Sequence, residues 1–177
     1  MGTDKASLIL NGKMLIEIVV KNLQEAGILN IIVSVRDQEQ SEWIKEIFNG
    51  KIQTVIDSKG KKGIWDVLIF ALPRNEIVQI ISVDSPWFDR ESIESLTKEW
   101  EDNGTKIGVV PWSENGPEPL LMQVKSLEFL ELIRNSNPMP LRNFVKSNSF
   151  AKIEWENNSK MDSLRNLNDG EQEWRLS

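Results

Sequence analysis

The chain has 177 residues, 40% hydrophobic and 27% charged, with 27 acidic against 21 basic side chains and a net charge of −6. That length holds one domain with a core of its own, and an acidic balance with no basic tail argues against nucleic acid or an anionic membrane as partner. Cysteine and histidine are both absent, which excludes disulfides, thiolate nucleophiles, imidazole bases and any Ser-His-Asp triad, and leaves oxygen to hold any metal, so magnesium or a similarly hard ion.

Residues 1–13 begin polar, and Asn11-Gly12 makes a turn after the short apolar run 8–10. The spacing of Leu15, Val19 and Leu23, with Ile16 and Val20 beside them, predicts a helix over 14–26 closed by Gly27. Residues 29–35 are a β-rich apolar run. Trp43, Ile44, Ile47 and Phe48 restore helical spacing over 39–48, and Asn49-Gly50 stops it. A strand over 52–56 ends at Asp57-Ser58. The basic glycine run K-G-K-K-G (59–63) then leads into an apolar segment, 64–72, read as a buried helix ended by Pro73.

The run 77–88, I-V-Q-I-I-S-V-D-S-P-W-F, is the axis of the chain. Five of the seven residues from 77 to 83 are aliphatic and fall on both parities of the alternation, as in a strand covered on both faces. Pro86 restricts the residue before it and ends the strand, leaving Asp84 at the carboxyl end, where open α/β sheets hold their ligands. Asp89 caps a helix over 90–100. A strand over 106–111, a turn-rich loop at 114–119 and a second strand over 120–124 follow. Helices are expected over 126–134 and 141–146, with a late strand at 151–155. Asn168 with Glu171 reads as a capping box opening a terminal helix. No apolar run reaches the roughly 18 residues of a membrane span and no signal-peptide pattern opens the chain, so a soluble cytoplasmic protein is expected. Strands and helices alternate without a linker, implying a single α/β domain over 1–177 with a mainly parallel sheet.

Taken singly, most polar positions have ordinary readings. Asp4-Lys5 is a solvated end, Asp57 a turn-former, and K-G-K-K-G a flexible basic loop. Their order says more. M-G-T-D-K, then a helix and strand, then V-I-D-S, then V-D-S-P after an apolar strand, then E-P-L-L and finally N-L-N: together these resemble the molybdenum cofactor guanylyltransferases, nucleotidyltransferases with a three-layer Rossmann-like α/β sheet. The resemblance implies that Lys5 contacts nucleotide phosphates, that Asp57 contacts a guanine nucleotide, and that Asp84 holds Mg²⁺ and the triphosphate. Ser34 falls where a nucleotide-contacting asparagine often stands. Gly63 matches the first glycine of a Gly-Pro-Leu-x-Gly loop, whose proline and second glycine are replaced by Ile64 and Val67. Pro119, Leu120, Asn166 and Asn168 fall in the acceptor region. Glu118 precedes that Pro-Leu where Gln or His is common, so its carboxylate is expected to repel an anionic acceptor.

The implied activity is transfer of GMP from GTP to molybdopterin with release of pyrophosphate. A cobinamide phosphate or sugar phosphate acceptor is the alternative within the class. Docking to molybdenum cofactor enzymes, or to a second copy, is the implied protein contact. Family members carry a strand and the loop Leu-Ala-Gly-Gly-x-Ser-x-Arg directly before Met-Gly-x-Asp-Lys, whereas this chain opens at that Met-Gly. An N-terminally truncated member is therefore expected, lacking its phosphate loop and a strand between residues 29–35 and 77–83. The alternative is a non-catalytic paralogue that serves as a binding subunit.

Overall fold

A computed structural model describes residues 4–57, 63–74, 76–102, 106–155 and 162. The expected terminal helix from Asn168 and most of the K-G-K-K-G run lie outside these residues. A short 3₁₀ turn, Lys5–Ser7, opens the described chain, with Asp4 Oδ1 accepting from the Ala6 N–H at 3.0 Å. A small antiparallel hairpin follows, β1 (Ile9–Leu10) and β2 (Lys13–Met14). Its turn residues Asn11 and Gly12 have φ of 51° and 75°, a pair of positive values that glycine and asparagine tolerate and that matches the twist of a two-residue hairpin.

The helix α1 (Leu15–Glu25) starts one residue later than its periodicity predicts. Glu17 Oε2 accepts from the Met14 N–H at 2.9 Å and so satisfies one of the amides left open at a helix start. The strand β3 (Ile32–Val35) pairs in parallel with β4 (Gln53–Ile56), and α2 (Gln38–Ile47) connects them. Asp37 caps α2 by accepting from the Gln40 N–H at 2.8 Å. The helix α3 (Ile64–Ala71) then leads to β5 (Ile77–Gln79).

The second half builds a larger sheet. Here α4 (Arg90–Asp102) precedes β6 (Gly108–Ser113), which folds back through β7 (Gly116–Pro117). After a 3₁₀ turn at Pro119–Leu121 come β8 (Gln123–Lys125), α5 (Ser126–Arg134), α6 (Leu141–Ser147) and β9 (Ala151–Glu154). Five strands join: β5 to β8 and β8 to β6 antiparallel, with β9 parallel to β6 on its other side. Side chains of successive strand residues point to opposite faces. Val109 accordingly packs in one core with α1 and α4, and Val110 in another with α3, α5 and α6. The result is helix, sheet, helix: the expected three-layer α/β class, with mixed pairing.

The axis run departs from expectation in two ways. Its pairing is antiparallel, and continues past β5 through Ile80 N–H to Met122 O (2.8 Å) and Ser82 N–H to Leu120 O (3.0 Å). Its cover is also incomplete. Of residues 77–83 only Ile80 is buried, and Ile77 is 67% exposed. The reason is a cavity of about 700 Å³ that this run shares with β3. Ile32 and Ser34 line one side, Ile81 and Val83 another, and Val67 of α3 contributes as well. Residues 29–35 and 77–83, between which the family strand was expected, thus belong to separate sheets with an apolar cavity between them.

Candidate active site

The carboxyl end of the axis strand carries the densest polar geometry. Lys5 Nζ donates to Asp84 Oδ2 at 2.9 Å, a contact between residues 79 apart in sequence. Ser82 Oγ donates to the other oxygen, Oδ1, at 2.5 Å. Burial pushes the Asp84 carboxyl up, but the hydrogen bonds from Ser82 and Lys5 and the Lys5 charge outweigh it, so the group titrates below the ordinary aspartate range. Asp84 is therefore an anion at neutral pH, held between a hydroxyl and an ammonium.

The loop after Asp84 is fixed from below. Asn22, a buried polar residue on α1, donates through Nδ2 to Pro86 O at 3.0 Å and Phe88 O at 3.3 Å. Phe88 is fully buried and packs near Trp155, with ring centroids 6.3 Å apart. One end of the loop is thus anchored in the core while Asp84 stays reachable, with 17% of its side chain exposed. Lys5 is positioned from the other direction. Its 3₁₀ turn is capped by Asp4, whose Oδ2 accepts from Gln40 Nε2 of α2 at 2.7 Å. Arg36 Nη2 lies 3.8 Å from the same oxygen.

The other expected residues fall around this corner without joining it directly. Ser34 is exposed on β3 and, with Ser82, lines the shared cavity. Asp57 stands just past the carboxyl end of β4, its N–H donating to Val35 O at 2.6 Å. Gly63 is the N-cap of α3 with φ 128°. Pro119 and Leu120 form the 3₁₀ turn, and Leu120 O accepts the Ser82 N–H, so this turn is bonded to the strand that carries Asp84. Asn166 and Asn168 lie outside the described residues.

Glu118 differs from its expectation. Its carboxylate accepts from Arg142 Nη2 at 2.9 and 2.8 Å and from Ser113 Oγ at 2.6 Å. An anion paired in this way is largely neutralised and is no longer a simple source of repulsion. The sequence reading missed Arg142, because the partner lies 24 residues away on a different element. Ser82 was within reach: it stands two residues before Asp84, close enough for a hydroxyl to meet a carboxylate at the turn that follows β5.

Mg²⁺ is held in phosphate-transfer sites by one or two carboxylates together with substrate phosphates and water. Among the described residues no group of three acidic side chains converges, but the lone, ionised Asp84 suits that sparse donor set.

A layered α/β domain with a carboxylate and a lysine paired in the turn region beyond a sheet strand is of the α/β class, whose ligands commonly lie outside strand ends. The chain belongs to the MobA-like NTP transferase domain family, which matches residues 1–151. It is similar to a probable molybdenum cofactor guanylyltransferase of Methanothermobacter thermautotrophicus, 24% identical over 123 residues. That match covers 68% of this chain and spans 62% of the length of the curated relative. In fold it is similar to the crystal structure of molybdopterin-guanine dinucleotide biosynthesis protein A from Archaeoglobus fulgidus, with a TM-score of 0.75. That likeness covers 99% of this chain and 91% of the other at 20% identity.

Proposed function

We propose that this chain is a nucleotidyltransferase that transfers GMP from GTP to molybdopterin, with release of pyrophosphate. The observation that carries the reading is the 2.9 Å contact of Lys5 Nζ with Asp84 Oδ2, which brings the lysine of one family motif to the aspartate of another. In the reaction an oxygen of the acceptor's phosphomonoester forms a bond to the α-phosphorus of GTP. The bond from that phosphorus to the β-phosphate bridging oxygen breaks, and pyrophosphate leaves with its electron pair. The attacking oxygen is already anionic, so a chain without histidine needs no imidazole base.

Asp84, with Ser82 orienting it, would hold Mg²⁺ together with the triphosphate, and the ion when bound supplies charge neutralisation to the departing phosphates. Lys5 exchanges its Asp84 contact for a phosphate oxygen, and Asp57, at the end of β4, accepts from the guanine. Pro119 and Leu120 shape the acceptor side. The nearest alternative keeps this chemistry and changes the acceptor to another phosphorylated small molecule, which a screen of acceptors with GTP and CTP resolves.

The test is calorimetric titration of the full chain with GTP in the presence and absence of Mg²⁺. Mg²⁺-dependent GTP binding by the native chain, lost in Asp84→Ala, is the expected result. A native chain that binds no GTP, or an Asp84→Ala variant that binds it equally well, overturns the reading.

A further inference from the structure

Beyond the Lys5–Asp84 corner, the described residues hold a second charged cluster at the same end of the sheet. Arg142 and Lys146 stand four residues apart on α6 and so share a helix face. That face looks onto the 113–118 hairpin loop. Arg142 reaches Glu118, and the Cε and Nζ of Lys146 lie 3.4 Å from where a side chain at Gly116 would begin. The loop is built to hold the arginine. Glu118 has only 16% of its side chain exposed, and Ser113 fixes its Oε1 from the far side while also accepting from the Asn115 N–H at 3.1 Å.

Both Glu118 contacts go to one nitrogen of Arg142, Nη2. Its Nε and Nη1 carry three further N–H donors that meet no described residue, and its side chain is 44% exposed. Lys146 makes no ion pair among the described residues. Two cations on one helix face therefore stand over a loop that carries one carboxylate, with donors left over and an open approach. The loop that carries the cluster is joined by its backbone to the segment of the reacting corner: Glu118 lies two residues before Leu120 and Asp84 two residues after Ser82, and Ser82 N–H donates to Leu120 O.

We infer that Arg142 and Lys146 form an oxyanion subsite that binds the acceptor's phosphomonoester beside Asp84, with Glu118 as the positioning residue for Arg142. This rests on the nucleotidyl-transfer reading and names how its acceptor is held. An arginine gripped at one nitrogen is already oriented, so it loses little freedom when a phosphate takes its remaining donors. The subsite selects an acceptor that carries a phosphate dianion over its dephosphorylated form.

The experiment is calorimetric titration of the full chain with inorganic phosphate, run on native protein, Arg142→Met, Arg142→Lys, Lys146→Met and Lys5→Met, with circular dichroism to verify folding. Phosphate affinity is expected to fall at least about tenfold in Arg142→Met, and by about threefold in Lys146→Met, the size of losing charge-assisted hydrogen bonds. Arg142→Lys keeps the charge without the fork and falls between native and Arg142→Met, which guards against a variant that merely misfolds. Mg²⁺-GTP affinity stays within about twofold of native in the α6 variants, since that nucleotide is assigned to the other corner. Unchanged phosphate binding in Arg142→Met, or phosphate binding that depends on Lys5 alone, overturns the subsite. Loss of phosphate binding in Arg142→Met by a protein that binds no GTP upholds the subsite and overturns the nucleotide reading instead.

Discussion

The two larger sheets among the described residues end up in different circumstances. In β3, Ile-Val-Ser-Val, only Val35 is buried; in β6, the four residues from Gly108 to Pro111 all are. Composition does not account for this, since β3 is the more aliphatic run, with three of its four residues valine or isoleucine against two of four from Gly108 to Pro111. Neighbours do. β6 bonds to β7, β8 and β9 and is packed by helices on both faces, whereas β3 bonds among the described residues to β4 alone and meets the cavity along part of its length. The five-stranded sheet is the platform, and the β3–β4 pair is attached to it through α1 and the core that they share.

The sharpest way to break that comparison is to damage the platform. Phe144 is fully buried against Trp65, Phe129 and Phe150, with ring centroids 5.0, 6.0 and 6.2 Å away. Phe144→Ala should lower unfolding free energy by about 3–5 kcal/mol, measured by urea denaturation. The matching trim beside the smaller sheet is gentler. Ile52, 4% exposed just before β4, is expected to lose about 0.5–1.5 kcal/mol as Ile52→Val. A Phe144→Ala loss of under about 1.5 kcal/mol would mean that the aromatic cluster under the five-stranded sheet does not anchor the platform.

The smallest effect on stability is expected at Asp84, the carboxylate proposed to hold the metal and triphosphate. Asp84 titrates below its ordinary range in the folded chain. A depressed carboxylate adds stability that is complete above its unfolded value, near 3.9, and is lost as pH falls through the lower folded value. Lys5 is 43% exposed, so solvent screens the pair, and Asp84→Asn should cost under about 1 kcal/mol at pH 7. Thermal melts from pH 6 to pH 3 should then show a shallower acid loss for the variant than for the native chain. Parallel curves would mean that the Lys5 and Ser82 contacts do not perturb Asp84 in solution.

Helices were the most legible part of the sequence. The bounds of α5 match their periodicity, and α1 and α2 fall within a residue or so, because helical spacing is a local property. Most longer strands were also legible, but β1, β2 and β7 were not. The strand expected over 120–124 is a 3₁₀ turn at Pro119–Leu121 followed by β8, because the proline at its start favours a turn. Strand partners were not legible. Whether residues 77–83 run parallel or antiparallel to a neighbour depends on a chain segment some 45 residues away, and their aliphatic richness was mistaken for cover on both faces. At the site, Asp84 stood out by its place after the apolar run, whereas Lys5 came from family resemblance alone, and no periodicity links residues 79 apart. The Arg142–Glu118 pair was invisible for the same reason, and Glu118 alone reads as a bare carboxylate without the arginine that pairs with it.

The cavity between β3 and β5 has a practical consequence. Environment-sensitive dyes such as anilinonaphthalene sulfonate brighten on apolar surface, and brightening is commonly taken as a sign of loosened packing. In this chain the native fold itself offers a reachable apolar recess of about 700 Å³. A dye-based melt should start bright and misreport the folded state as partly open. Unfolding is better followed through the seven tryptophans, which, with no tyrosine in the sequence, give an emission of a single origin.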